Sequence, residues 1–168
     1  MNDEIIVFEL PDGSIRYTTC PVKQKRPGEI NSQWLNRVYR KTIGDNPEYS
    51  GAVRINKAVM PDGAPFRPGA KKMYRGAWRH AGGGEIVIDM PAARDLRMAE
   101  IRAMRDERLK AADGPTAREV EQTGPKKQGW IDYKQALRDL PAGLNLNAIA
   151  TPEELKAFEP AWPPAPGA

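Results

Sequence analysis

Cys20 and His80 are the only cysteine and the only histidine in the chain, and nucleophilic or metal chemistry would have to start from them. A cysteine nucleophile needs a base within reach and a third group to orient that base. A zinc site needs three or four ligands of the Cys, His or carboxylate type. One residue of each kind supplies neither set. Cys20 closes an apolar strand pattern and reads as a small hydrophobe. His80 adjoins Ala81-Gly82-Gly83-Gly84, a run that superficially suggests a phosphate cradle. It lacks the Lys-Ser/Thr that completes a P-loop and leads into a strand pattern instead of a helix. A flexible hairpin loop is the better reading. The carboxylates lie on helical sequence among arginines, which keep them ionised and ordinary. The residues therefore predict no enzyme, no cofactor and no metal.

Binding remains, and it depends on the elements that carry the apolar faces. Residues 4–10 read as a strand, Pro11-Asp12-Gly13 as a turn, and Ser14 to Cys20 as a returning strand. Ile30 to Ile43 has Ile30, Trp34 and Val38 at helical spacing with Gly44 behind them. Trp34 in that pattern is a core residue more often than a recognition residue. Ala52 to Met60 alternates as a strand, residues 64–73 form a basic loop, and Met73–Arg79 and Glu85–Asp89 read as two strands joined through the glycines. These elements predict an α+β fold: a small, mostly antiparallel β-rich part with one helix over residues 1–90, then a helical part over 91–158. A Pro-rich tail covers 159–168.

The longest helix is predicted from Pro91 to Ala112, with Asp89 as N-cap and Asp113-Gly114-Pro115 as its end. Met98, Ile101, Met104, Leu109 and Ala112 share one side at about 100° per residue. Arg94, Arg97, Arg105 and Arg108 fall on or beside that side. They either ring the stripe for an acidic partner or a helical oligomer, or they pair with Asp95, Glu100 and Asp106. Thr116 to Gln122 is a short helical piece. Trp130, Tyr133, Leu137 and Leu140 recur at i, i+3, i+7 and i+10 on a further helix that Pro141 and Gly143 end. The stretch from 113 to 129 is long enough for the two apolar faces to meet as a helical hairpin. The front sheet and another protein are the alternative covers. Thr151-Pro-Glu-Glu154 is a capping box that starts a last short helix. In the tail, Trp162 stands among prolines, either as an extended segment for a partner's groove or as a disordered end.

Charge narrows the partner. The 168 residues carry a net charge of +4, with 26 Lys and Arg interleaved with 22 Asp and Glu. The densest basic stretch, Lys23 to Arg26, lies between two prolines and reads as a solvated loop. The Trp130 helix has balanced charge and an aromatic face, unlike a base-reading helix. No nucleic acid is expected. Without a leader or an apolar run of about 18 residues, no membrane is expected either, and a reducing cytoplasm is.

Several stretches resemble a known family. Trp130-Ile-Asp-Tyr-Lys-Gln-Ala-Leu-Arg-Asp-Leu-Pro141, placed behind an Arg-rich helix, resembles the C-terminal region of tailed-phage tail (fibre) assembly chaperone-like proteins. Tyr74-Arg-Gly-Ala-Trp78, Val87 to Arg94, Ile101 to Asp106 and Thr151 to Leu155 resemble further parts of such proteins, so the resemblance spans roughly residues 70–162. The spacer Gly124 to Gly129 departs from it, and residues 20–73 carry no motif of it. The resemblance implies a non-enzymatic protein that assists assembly of a phage tail or fibre protein in the host cytoplasm. The alternative is a structural component of the virion tail, baseplate or fibre attachment. The partner-binding residues expected on that basis are Met98, Ile101, Arg105, Arg108, Trp130, Tyr133, Leu137, Leu140 and Trp162, and homo-oligomerisation through the same helices stays open.

Overall fold

The computed structural model describes residues 4–55, 58, 60, 73–118 and 125–166, with the side chains of 114–118 and 125–127 set aside. The expected strand beyond Ile55 and the basic loop at 64–73 lie largely outside the described residues, as does the end of the helical piece at 116–122. The chain divides into two compact units, Met1–Asp89 and Met90–Ala168. Small antiparallel sheets and one helix make up the first, and longer helices the second, so the fold is α+β.

In the first unit β1 (Glu4–Glu9) pairs antiparallel with β2 (Ile15–Cys20), from Glu4↔Cys20 to Glu9↔Ile15. The reversal is local chemistry. Gly13 takes a φ of 76°, and the Asp12 carboxylate accepts the Ser14 amide at 2.9 Å, closing an Asx turn. β3 (Val53–Ile55) pairs with the other edge of β1, giving the order β2-β1-β3. A two-stranded sheet, β4 (Trp78–Gly82) with β5 (Glu85–Ile88), is separate in its pairing.

β1 is apolar on both faces because both are covered. Ile6 and Phe8 join Leu10, Cys20 and Trp34 on the side of α1 (Asn31–Gly44). Val7 joins Ile15, Ile55, Trp78 and Ile86 on the side of the β4–β5 hairpin. That is why Ile5 to Phe8 reads as an unbroken apolar run. Trp34 is core, 1% exposed, and Cys20 is a free thiol buried at the end of β2. The loop before α1 is stapled to it by Glu29. Its carboxylate takes both Arg37 Nε, at 2.8 Å, and an Arg37 terminal nitrogen, at 2.7 Å. It also accepts the Arg26 amide at 3.0 Å.

One expected strand is shorter than its pattern. Residues 75–77 form a 3-10 turn, and β4 starts only at Trp78. Tyr74 is the reason: its φ of 48° turns the chain out of extended geometry, an unusual conformation for a non-glycine residue. Gly82, Gly83 and Gly84 all have positive φ, so the glycine run is the hairpin loop it was expected to be.

The second unit is built on α2 (Met90–Arg118) and α3 (Pro125–Gly143), followed by a 3-10 turn at Leu146–Ala148 and α4 (Pro152–Ala157). α2 packs against α3, α4 and the 3-10 turn. Two expected helix limits are corrected. α2 does not stop at Asp113-Gly114-Pro115 but continues to Arg118. Tertiary contact overrides the local stop signal: Ala112 is buried beside α3, and Asp113 is held by Lys134 of α3 at 2.7 Å. α3 begins at Pro125, ahead of the expected Trp130 helix, and ends at Gly143 as expected, with Pro141 inside it. Pro141 sits in the last turn, where one missing backbone donor costs least. Gly124–Gly129, read as a spacer, is helical from Pro125 onward. The capping box is present: Thr151 Oγ1 accepts the Glu154 amide at 3.2 Å, and Glu154 accepts the Thr151 amide at 3.3 Å.

Candidate functional site

The helical unit encloses a line of small and branched residues. On α2 the buried positions are Ala93, Arg97, Ile101 and Ala112, the first three at successive i, i+4 steps, which puts them on one stripe. On α3 they are Tyr133, Leu137 and Pro141. Ala112, Tyr133 and Leu137 form one cluster, against which Leu109, Trp130, Trp162 and Ala165 pack. The two apolar faces therefore cover each other as a helical hairpin, one of the three routes open to the sequence.

Of the residues expected to meet a partner, Ile101 and Leu137 are fully enclosed, and Tyr133 is nearly so. They hold the hairpin together from inside. Met98, Trp130, Leu140 and Trp162 are half-buried, Arg105 is partly covered and Arg108 is exposed. Trp130 meets Tyr133 edge to face, with ring centroids 5.7 Å apart. Ile131, 46% exposed, and Leu96, 37% exposed, add apolar surface outside the stripe.

The arginines divide their tasks. Arg97 is 5% exposed and donates to Glu100 at 2.8 Å and to the Phe158 carbonyl at 2.5 Å, with Glu159 at 3.8 Å. Arg94 donates to the Ile149 carbonyl at 2.7 Å. Both are clamps on the chain beyond α3, and both keep a buried Nε without a hydrogen-bond partner. Arg105 pairs with its neighbour Asp106 at 2.7 Å. Arg108 lies over the Trp162 ring, 4.4 Å from its centroid, a cation–π contact.

The C-terminal segment is thus neither extended into solvent nor disordered. Trp162 and Ala165 lie on the hairpin cluster, and Pro166 passes within ordinary contact of the position a Cβ would take on Gly129. Residues 159–166 form a strap across the α2–α3 hairpin. Nothing local in the sequence marks the Arg94 and Arg97 clamps. Their carbonyl acceptors lie 55 and 61 residues away, and no periodicity encodes such a distance.

The residues first considered for catalysis are engaged structurally. His80 Nδ1 lies 3.2 Å from a Glu9 carboxylate oxygen, and its Nε2 accepts the Gly84 amide at 3.3 Å. This suits the tautomer protonated at Nδ1 and ties the hairpin loop to β1. Among the described residues, no three His, Cys, Asp or Glu side chains gather into a group able to hold a metal. Among them, too, no helix is long and apolar enough to cross a membrane.

The second unit is therefore a small helical hairpin closed by a clamped C-terminal segment, a class of module with surfaces to offer and no assembled catalytic set among its described residues. Residues 98–167 match the model of a family described as phage tail assembly chaperone protein. The match begins inside α2 and runs to the end of the strap. It takes in the Trp130–Pro141 run, Ile101–Asp106 and the capping box, and leaves out Tyr74–Trp78 and Val87–Arg94. It spans less than half of the 168 residues, all of it within the helical unit. No curated protein and no solved structure matches the chain. The helical unit is thus similar to a family of phage tail assembly chaperones.

Proposed function

We propose that the chain is a non-enzymatic assembly chaperone whose helical unit, residues 91–158 with the tail 159–168, holds a tail or tail-fibre protein through the outer surface of its hairpin. The observation that carries this reading is the coincidence of the family match with one compact unit, from α2 to the strap. Met98, Trp130 and Leu140, with Arg105 and Arg108 beside them, form the contact surface, and Trp162 of the tail lies over part of it. Ile101, Tyr133 and Leu137 support it from beneath. A half-buried aromatic beside arginines is the composition that dominates binding energy at protein interfaces. Met1–Asp89 is the other compact unit, and its residues 20–73 carry no motif that points to a partner.

Quantitative mass spectrometry of purified particles and of the infected lysate tests the reading. A chaperone is absent from particles and abundant in lysate together with the tail or fibre protein. A fixed copy number in finished particles overturns this and makes the chain a structural component of the tail. In the same lysate, Trp130→Ala is expected to reduce co-purification of the partner at least about tenfold, with salt having little effect. Leu137→Ala is the wrong probe for contact, because Leu137 is fully enclosed and its truncation acts on the fold.

A further inference from the structure

We infer that the strap is a placeholder, and that the surface beneath it is a docking groove for an extended segment of another protein carrying an aromatic residue flanked by prolines. The occupant's chemistry is shown by what occupies the groove now. The strap runs Pro160-Ala-Trp-Pro-Pro-Ala-Pro166, a sequence suited to an extended conformation that loses little entropy on docking. Trp162 packs against the cluster of Ala112, Tyr133 and Leu137, as Leu109 and Trp130 do, and Arg108 lies over its ring. Trp162 nevertheless remains half-buried, so the contact is incomplete. The clamps that fix the chain stop short of it: Arg97 holds Phe158 and Glu159, and Pro160 is the last buried residue. Among the described residues beyond Pro160, what holds the strap to the hairpin is one indole, one cation–π contact and small apolar surface from Ala165 and Pro166.

A second copy's strap is the weaker occupant. Exchange between copies reproduces identical contacts while giving up the local concentration, about millimolar, that a short linker supplies. A different protein offering a better aromatic gains from displacing the strap. The identity of that protein as a tail component rests on the proposed chaperone role. The groove itself does not.

The probe is a fluorescent synthetic peptide of residues 159–168, titrated by anisotropy against three proteins: the full chain, full-length Trp162→Ala, and a chain ending at Pro160. If the strap is a placeholder, both altered proteins bind the peptide at least about tenfold tighter than the wild type, and a peptide with alanine in place of the tryptophan does not bind. Equal binding to all three proteins overturns the inference. So does loss of the helical signal in circular dichroism for both altered proteins, which would make the strap a structural part of the core. A concentration-dependent dimer of the wild type that Trp162→Ala abolishes in sedimentation assigns the groove to a second copy and also overturns it. None of these readouts depends on whether the protein is present in particles, so a failed groove and a failed chaperone reading are separable.

Discussion

The two units reach a closed interior by different means. Of the ten largest fully enclosed side chains among the described residues, seven belong to the first unit, among them Trp34, Trp78, Phe8 and Ile86. The second has only Ile101, Leu137 and Leu155. A sheet covered on both faces buries consecutive residues of its central strand, here Ile6 to Phe8, whereas a two-helix hairpin buries one stripe per helix. The helical unit makes up the difference with alanines at close contact and with arginines that grip backbone carbonyls. Such a core is thin and depends on a few directional bonds, so its outer layer can be exchanged at lower cost.

The comparison breaks most visibly at Trp34. Its replacement by alanine removes a side chain 1% exposed between α1 and β1 and should cost the first unit about 3–5 kcal/mol. Indole proton resonances separate the outcomes, because Trp34 and Trp78 report on the first unit and Trp130 and Trp162 on the second. The Trp78 signal is expected to collapse to its unfolded position in Trp34→Ala while those of Trp130 and Trp162 persist. Simultaneous loss of all three would mean that the units do not fold independently.

In the second unit the corresponding lesion is polar. Arg97→Met keeps most of the buried volume and deletes the donors to Phe158 and Glu100. An unsatisfied carbonyl and the lost charge-assisted bonds should cost about 1–3 kcal/mol. The denaturant midpoint followed at Trp162 is expected to fall, with Trp78 unchanged. A neutral or stabilising result would mean that desolvating Arg97, with its unpartnered Nε, offsets the gain from its bonds, and that the clamp contributes specificity only.

The same contrast explains what could be read from the sequence. The β1–β2 hairpin, α1 and the Thr151 capping box were legible because each is decided within a few residues, by the Pro11-Asp12-Gly13 turn, by helical spacing around Trp34, or by a side chain reaching three positions along. The face of α3 was legible for the same reason. The C-terminal end of α2 was not, since a Gly-Pro pair is a stop only until an ion pair from Lys134 and a buried Ala112 hold the helix through it. Tyr74 gave no warning of its positive φ. The site was half legible. Periodicity marks Tyr133 and Leu137 as apolar face residues, but it does not say whether that face meets a partner or the chain's own α2. The strap and its clamps join positions more than fifty residues apart, and only the folded chain brings them together.

The smallest expected effect concerns acid. Glu29 is held well below its ordinary value of 4.5, down to about 2, first by the hydrogen bonds from Arg37 and then by the Arg26 amide. A carboxylate whose folded value is depressed contributes stability that is fully present above its unfolded value. That stability is lost as pH falls through the folded value. For Glu29 the window runs from about 4.5 down to about 2. The site is near the surface, so the effect should be modest and weakened by salt. Glu29→Gln keeps one oxygen, which can accept from the Arg26 amide and an Arg37 terminal nitrogen as one Glu29 oxygen does, but it replaces the acceptor for Arg37 Nε with an amide NH2 and removes the charge. Urea midpoints of the first unit, read at Trp78, are expected to be lower for Glu29→Gln than for wild type above pH 4.5. The two should converge as pH approaches 2, with the Trp162 midpoint the same in both proteins throughout. A constant gap at every pH would show that the staple works through shape alone. A shift at Trp162 would show that the loop before α1 communicates with the helical unit, and the two parts would then have to be treated as one cooperative body.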